Sequence, residues 1–207
     1  MKLPRFYPIL DTDLLARRGL PVIETAQTIL DAGAKILQFR HKTHVTRETW
    51  KQMEAVQMLC EATGAVYVIN DRADLARLFG AVLHLGQDDL TPSAARQITG
   101  PETVIGYSTH NEDQLRAAAA EPVNYVALGP IFGTSSKENP DPTVGLGELR
   151  RLRPLTNRPL VAIGGITRSN ALEVLAAGAD SVAVIGDLLA GDGAGAAKDW
   201  IRLLKVQ

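Results

Sequence analysis

Cysteine is almost absent from this chain: Cys60 stands alone among 207 residues. One thiol excludes an internal disulfide and a cysteine-rich zinc site. Its setting, Gln57-Met58-Leu59-Cys60 within a helical pattern, reads as a small buried hydrophobe rather than a nucleophile. The four histidines are scattered, with no zinc-ligand spacing, and His84 reads as a hydrogen-bonded interior residue. No apolar run is long enough to span a bilayer. Met1-Lys2-Leu3-Pro4-Arg5 leads into only a short apolar run, not a signal peptide, so a soluble cytoplasmic protein is expected. Charge of neither sign dominates: 22 basic and 23 acidic residues give a net charge of −1. With no basic patch or block of like charge, partners of the nucleic-acid or membrane-surface kind are not expected. Small molecules are, and the composition leaves a homo-oligomer open.

What is present is an ordinary globular balance, 45% hydrophobic and 22% charged, enough for a sizeable core. Apolar runs with strand character alternate with amphipathic segments. The runs are Phe6 to Asp11, Ala34 to Arg40, Val66 to Asn70, Val82 to Gly86, Val104 to Ser108, Tyr125 to Pro130, Leu160 to Gly164 and Ser181 to Ile185. Helices are expected over Pro21 to Ala32, Thr46 to Thr63, Ala73 to Phe79, from Thr91-Pro92, from Asn111, and over Leu146 to Leu155, Ser169 to Ala177 and Gly195 to Val206. Their punctuation is physical: Thr46 and Asn111 suit N-caps, Pro92 suits a first helical position, and Gly33, Gly64, Gly80 and Gly178 suit stops. Eight such units, with no linker-like segment between them, point to one domain over residues 1–207. The expected fold is a single (β/α)8 TIM barrel, an open doubly wound sheet being the alternative.

In a barrel of this kind, chemistry sits where strands end in the loops leading to helices. The second run ends Gln38-Phe39-Arg40-His41-Lys42, and strand alternation puts Gln38, Arg40 and Lys42 on one face. Two cations and an amide there suit a polyanion such as a diphosphate. The third ends Asn70-Asp71-Arg72 and the fourth runs out through Gly86-Gln87-Asp88-Asp89. Carboxylates at neighbouring strand ends can share Mg2+, although one of Asp88 and Asp89 can serve only as a cap. The sixth opens into Gly129-Pro130-Ile131-Phe132-Gly133-Thr134-Ser135-Ser136-Lys137, a loop of glycines, hydroxyls and a lysine. Gly164-Gly165 and Ile185-Gly186 close the last two strands, where backbone N–H groups can cradle a phosphate or glycine can serve only a tight turn.

These residues carry a resemblance. Gln38-Phe39-Arg40-His41-Lys42, Ile69-Asn70-Asp71-Arg72, His84-Leu85-Gly86-Gln87-Asp88-Asp89, Gly106-Tyr107-Ser108-Thr109-His110, Leu128-Gly129-Pro130-Ile131-Phe132 with Thr134 to Lys137, and Ala162-Ile163-Gly164-Gly165-Ile166 occur in order at strand ends. The chain resembles the thiamine phosphate synthase (thiamin-phosphate pyrophosphorylase) family over nearly its whole length. The resemblance implies a transferase that joins 4-amino-5-hydroxymethyl-2-methylpyrimidine diphosphate to 4-methyl-5-(2-hydroxyethyl)thiazole phosphate, or its carboxylated form, with release of diphosphate. It implies Mg2+ on Asp71 and Asp89, and the pyrimidine diphosphate on Gln38, Arg40, Lys42, Asn70 and Lys137. Ser108 would approach the pyrimidine and the diphosphate. Thr134 and Ser136, with the backbone of Gly165, Ile185 and Gly186, would hold the thiazole phosphate. Arg40, Lys42, Ser108 and Lys137 would be the catalytic set, acting on a dissociative reaction. Departures from the family pattern are Gly186-Asp187, where serine commonly follows the isoleucine, and His41, where glutamate is more usual. Rival readings are a thiazole tautomerase of the same superfamily using His110 as base, another phosphate-handling barrel, and a non-catalytic barrel that binds thiamine precursors.

Overall fold

A computed structural model describes residues 2–134, 141–189 and 194–205. Eight parallel strands close a barrel in sequence order: β1 (Phe6–Asp11), β2 (Ile36–Arg40), β3 (Val66–Asn70), β4 (Val82–Leu85), β5 (Ile105–Thr109), β6 (Tyr125–Leu128), β7 (Leu160–Ile163) and β8 (Ser181–Val184). β8 pairs back onto β1, so the open-sheet alternative is excluded. Around the barrel run α1 (Thr12–Arg17), α2 (Val22–Asp31), α3 (Arg47–Thr63), α4 (Ala73–Leu78), α5 (Pro92–Thr99), α6 (Glu112–Ala118), α7 (Gly145–Leu152), α8 (Ala171–Ala176) and α9 (Ala194–Lys205).

The helices begin and end for local reasons. Thr46 accepts a hydrogen bond from Thr49 N at 3.1 Å and opens α3, whose stripe Thr49, Met53, Val56 and Cys60 is buried. Gly64 closes it at φ 64°, a left-handed conformation that costs a glycine little. Thr91 caps α5 with Pro92 in its first turn, and Asn111 accepts from Gln114 N to open α6. The short α1 has no counterpart in the sequence reading. Six residues are too few to show a helical period, and its start depends on Asp11, whose carboxylate accepts from Leu14 N at 2.8 Å. Elsewhere the observed elements end a residue or two from expectation, and the segment expected as one helix to Leu155 finishes as a 3-10 turn, Arg153–Leu155.

Strand alternation divides the core in two. Leu10, Leu37, Phe39, Ile69, Leu83, Leu85, Val126 and Val182 point outward into the layer between sheet and helices. There Trp200 of α9 stacks on Phe6 with ring centroids 5.5 Å apart. Tyr7, Ile9, Ile36, Val68, Tyr125, Ala127, Val161 and Ala183 point inward and fill the barrel. Continuing the inward rows by two residues per step reaches Asp11, Arg40, Asn70, Ser108, Ile163 and Ile185 at the strands' C-terminal ends. The period that buries the barrel interior therefore also delivers the polar residues to one mouth.

Candidate active site

That mouth is a cavity of about 350 Å3. It is lined by Gln38, Arg40, Lys42, Asn70, Asp71 and Ser108 on one side and by Thr134, Gly165, Ile185 and Gly186 on the other. Ten of the thirteen expected site residues thus meet in one space, whereas Asp89 is not in its lining. Ser136 and Lys137 lie outside the described residues.

The charged half is built on ion pairs. Arg40 at the end of β2 pairs with Asp11 at the end of β1, directly across the ladder. Asp11 is 3% exposed and also caps α1, so it ties the guanidinium to a rigid position. Lys42 pairs with Asp71. Asp71 follows β3 at φ 66°, a conformation that a non-glycine residue rarely adopts, and its N–H is held by His84 O at 2.8 Å. Burial first, and Asp89 within hydrogen-bond reach second, push the Asp71 carboxyl up to about 6, with Lys42 opposing. Asp89 is itself bound by Gly86 N at 2.7 Å, whereas Asp88 is exposed. The structure therefore separates two neighbouring carboxylates that strand-end position alone left equivalent.

A carboxylate in the cavity lining, Asp71, with a second, Asp89, within hydrogen-bond reach of it, fits a hard divalent cation. Each repels the other until a positive charge lies between or beside them. Among the described residues no cluster of three or more histidine, cysteine or acidic side chains is placed to bind a metal. A two-carboxylate site suits magnesium, which completes its shell with water and phosphate oxygens. Asn70 beside them is 7% exposed, and its Nδ2 has no hydrogen-bond partner among the described residues. A buried unpaired donor is costly and is commonly kept for a ligand.

The second half is glycine-lined. Gly164 and Gly165 turn at φ 97° and 62°, and a Cβ on Gly165 would lie 2.5 Å from Gly133 O. The loop after β6 passes that closely because Ile131 N and Phe132 N bond to Ile163 O and Gly164 O, at 2.8 and 3.0 Å. Asn170 Nδ2 donates to Gly165 O at 3.1 Å and so orients the peptide. Asp187, the departure after β8, does not present a bare carboxylate to this cradle. It accepts from Trp200 Nε1 at 2.9 Å and from Arg168 Nε at 3.0 Å.

His110 follows β5 with Nδ1 donating to Gly129 O at 2.6 Å and Nε2 3.5 Å from Asp141. Sequence reasoning identified Gln38, Arg40 and Lys42 because strand alternation reports which residues share a face, and Asn70 and Ser108 by their place at strand ends and by the family resemblance. It missed Asp11, Tyr7, Tyr125 and Asp141. The inward parity of Asp11, Tyr7 and Tyr125 was a usable signal for the first three, and Asp141 had none.

A family profile described as thiamine monophosphate synthase matches residues 6–188. A thiamine-phosphate synthase of Koribacter versatilis is 47% identical over 194 residues, covering 91% of this chain and 90% of that one. One of Caldicellulosiruptor bescii is 37% identical over 175 residues, covering 84% and 80%. Among solved structures, thiamine phosphate pyrophosphorylase from Pyrococcus furiosus superposes with a TM-score of 0.86 at 30% identity, covering 97% of this chain and 95% of that one.

Proposed function

The chain belongs to the thiamine monophosphate synthase family, and from that premise we propose that it condenses 4-amino-5-hydroxymethyl-2-methylpyrimidine diphosphate with a thiazole phosphate to give thiamine phosphate and diphosphate. The observation that carries this reading is the single cavity with two unlike halves. One half offers Arg40, Lys42, Asn70 and Asp71, with Asp89, itself outside the lining, within hydrogen-bond reach of Asp71, and the other offers the glycine cradle with Thr134.

The reaction is dissociative. The C–O bond to the diphosphate breaks first, leaving a pyrimidine methylene cation whose charge is shared with the ring amino group. The thiazole nitrogen then supplies the electron pair for the new C–N bond. Bound magnesium would supply charge neutralisation on the departing diphosphate, with Asp71 and Asp89 holding it. Arg40, anchored by Asp11, and Lys42 present fixed positive charge to that same leaving group, and Lys137 is assigned there with them. Asn70 Nδ2 donates to a diphosphate oxygen, which satisfies a buried donor that has no partner among the described residues. The cradle of Gly165, Ile185 and Gly186, with Thr134 and Ser136, holds the thiazole phosphate so that its nitrogen faces the cation.

The test is to incubate the full chain with both substrates and magnesium and to follow thiamine phosphate and diphosphate together. Stoichiometric formation of both is expected. The tautomerase reading has one observation on its side, the His110 imidazole held between Gly129 O and Asp141. Rearranged thiazole phosphate with no diphosphate released would decide for it.

A further inference from the structure

Below the charged residues, five side chains form one hydrogen-bonded line across the barrel. Gln38 Nε2 donates to Tyr7 Oη at 3.0 Å, and Tyr7 Oη lies 2.8 Å from Tyr125 Oη. Tyr125 Oη lies 3.0 Å from His84 Nδ1, and His84 Nε2 lies 3.0 Å from Ser108 Oγ. Both tyrosines are 1% exposed, Gln38 is 2% and His84 is 9%. The two ends, Gln38 and Ser108, line the cavity. The links join residues 24 to 118 positions apart in sequence, so the line is a product of the closed barrel.

With Gln38 Nε2 as the donor to Tyr7, the line has a direction, which follows from counting protons. Burial holds both phenols well above their ordinary range, so each keeps its one O–H. Tyr7 accepts from Gln38 and gives its own proton to Tyr125. Tyr125 then gives its proton to His84 Nδ1. An imidazole that accepts at Nδ1 carries its proton on Nε2 and donates to Ser108 Oγ. The serine proton is directed away from His84. Reversing the tyrosine pair would turn the Tyr7 proton away from its bonded partners inside an apolar barrel, where an unpaired donor bears its full desolvation penalty.

We propose that this buried line sets the polarity of the pyrimidine end of the cavity, with Tyr7, Tyr125 and His84 as positioning residues that select an aminopyrimidine over its oxo analogue. Gln38, its Nε2 held by Tyr7, presents its carbonyl oxygen as an acceptor. Ser108, accepting from His84, presents its hydroxyl proton as a donor. An aminopyrimidine offers the complement, an amine that donates and ring nitrogens that accept. A 4-oxo ring offers an acceptor in place of the amine and a ring N–H donor, so it sets like against like. The inference rests on the proposed reading that the substrate is an aminopyrimidine diphosphate.

Two measurements on the full chain test it without relying on turnover. Nitrogen-15 NMR of His84 reports the tautomer directly: the neutral Nε2–H form is expected, and an Nδ1–H tautomer or an imidazolium overturns the direction. Calorimetric titration with magnesium present, and no thiazole, compares the 4-amino and 4-oxo pyrimidine diphosphates. The wild type is expected to prefer the amino form by at least about tenfold. In Tyr7→Phe, where Gln38 loses the acceptor that orients it, that preference should fall to within about threefold. Tyr125→Phe, which breaks the line at its middle, is the second variant should Tyr7→Phe fail to fold. An unchanged ratio in both, or a wild type that shows no preference, overturns the proposal. A preserved preference without formation of thiamine phosphate would instead tell against the proposed reaction and leave the selecting line standing.

Discussion

Gly106 stands opposite Tyr125 in the β5–β6 ladder, and a Cβ built on it would lie 2.0 Å from Tyr125 Cζ and 2.4 Å from its hydroxyl oxygen. The aromatic ring occupies the space that any other residue at 106 would fill. Its place in the barrel therefore depends on a missing side chain one strand away.

Gly106→Ala should destabilise the protein by about 1–3 kcal/mol, because the ring has no open space to move into. The check is a urea titration in which the midpoint falls while the slope is unchanged. A midpoint equal to wild type would mean that Tyr125 moves aside at no cost.

Asp71→Asn should leave the fold intact, since asparagine tolerates the left-handed backbone seen at this position. Removing the carboxylate charge should raise the magnesium concentration needed for half-maximal rate by at least about tenfold and lower kcat by about a hundredfold or more. Chelation should abolish turnover of the wild type, and added magnesium should restore it. Lys137→Ala is expected to cut kcat on a similar scale, about a hundredfold or more, since it removes positive charge from the leaving group. Near-wild-type rates in both variants would remove the assigned roles.

Asp187→Ala should cost about 1–3 kcal/mol, because it leaves the Nε1 of the fully buried Trp200 without its acceptor. Arg168 keeps its second carboxylate, Asp199, at 3.3 Å, so the loss should be read mainly at the tryptophan. Asp187→Asn retains an acceptor oxygen and should lose less. Thermal melts of the two variants, ranked against wild type, decide the point.

Cys60 is 1% exposed, and burial, with Glu61 adding to it, pushes its thiol from 9.0 up to about 12. The thiolate is the reactive form, so alkylating reagents at neutral pH should leave folded protein unlabelled and modify one thiol only after denaturation. The linked stability has a defined sign. The folded state holds the proton more tightly than the unfolded one. Its contribution is thus fully present below pH 9 and is lost as pH rises from 9 to about 12. Replacing Cys60 with alanine should flatten that part of the alkaline stability curve.

Much of this protein could be read before any coordinates. The eightfold alternation of strand and helix, the caps at Thr46 and Asn111 and the stop at Gly64 are local decisions, made by spacing and by which backbone angles a residue tolerates. The period of two along the second strand also reported that Gln38, Arg40 and Lys42 would face one way, while Asn70 and Ser108 were marked by their place at strand ends. What required the closed barrel were pairings between distant residues. Arg40 finds Asp11 29 positions away, and Tyr7 finds Tyr125 118 positions away. The pairing of Asp187, which lines the cavity beside the cradle, with Trp200 and Arg168 is of the same kind. Local propensity sets which atoms a strand presents. Closure of the sheet sets which of them meet, and so which charges are paired, which protons have an acceptor and which donor is left for a ligand.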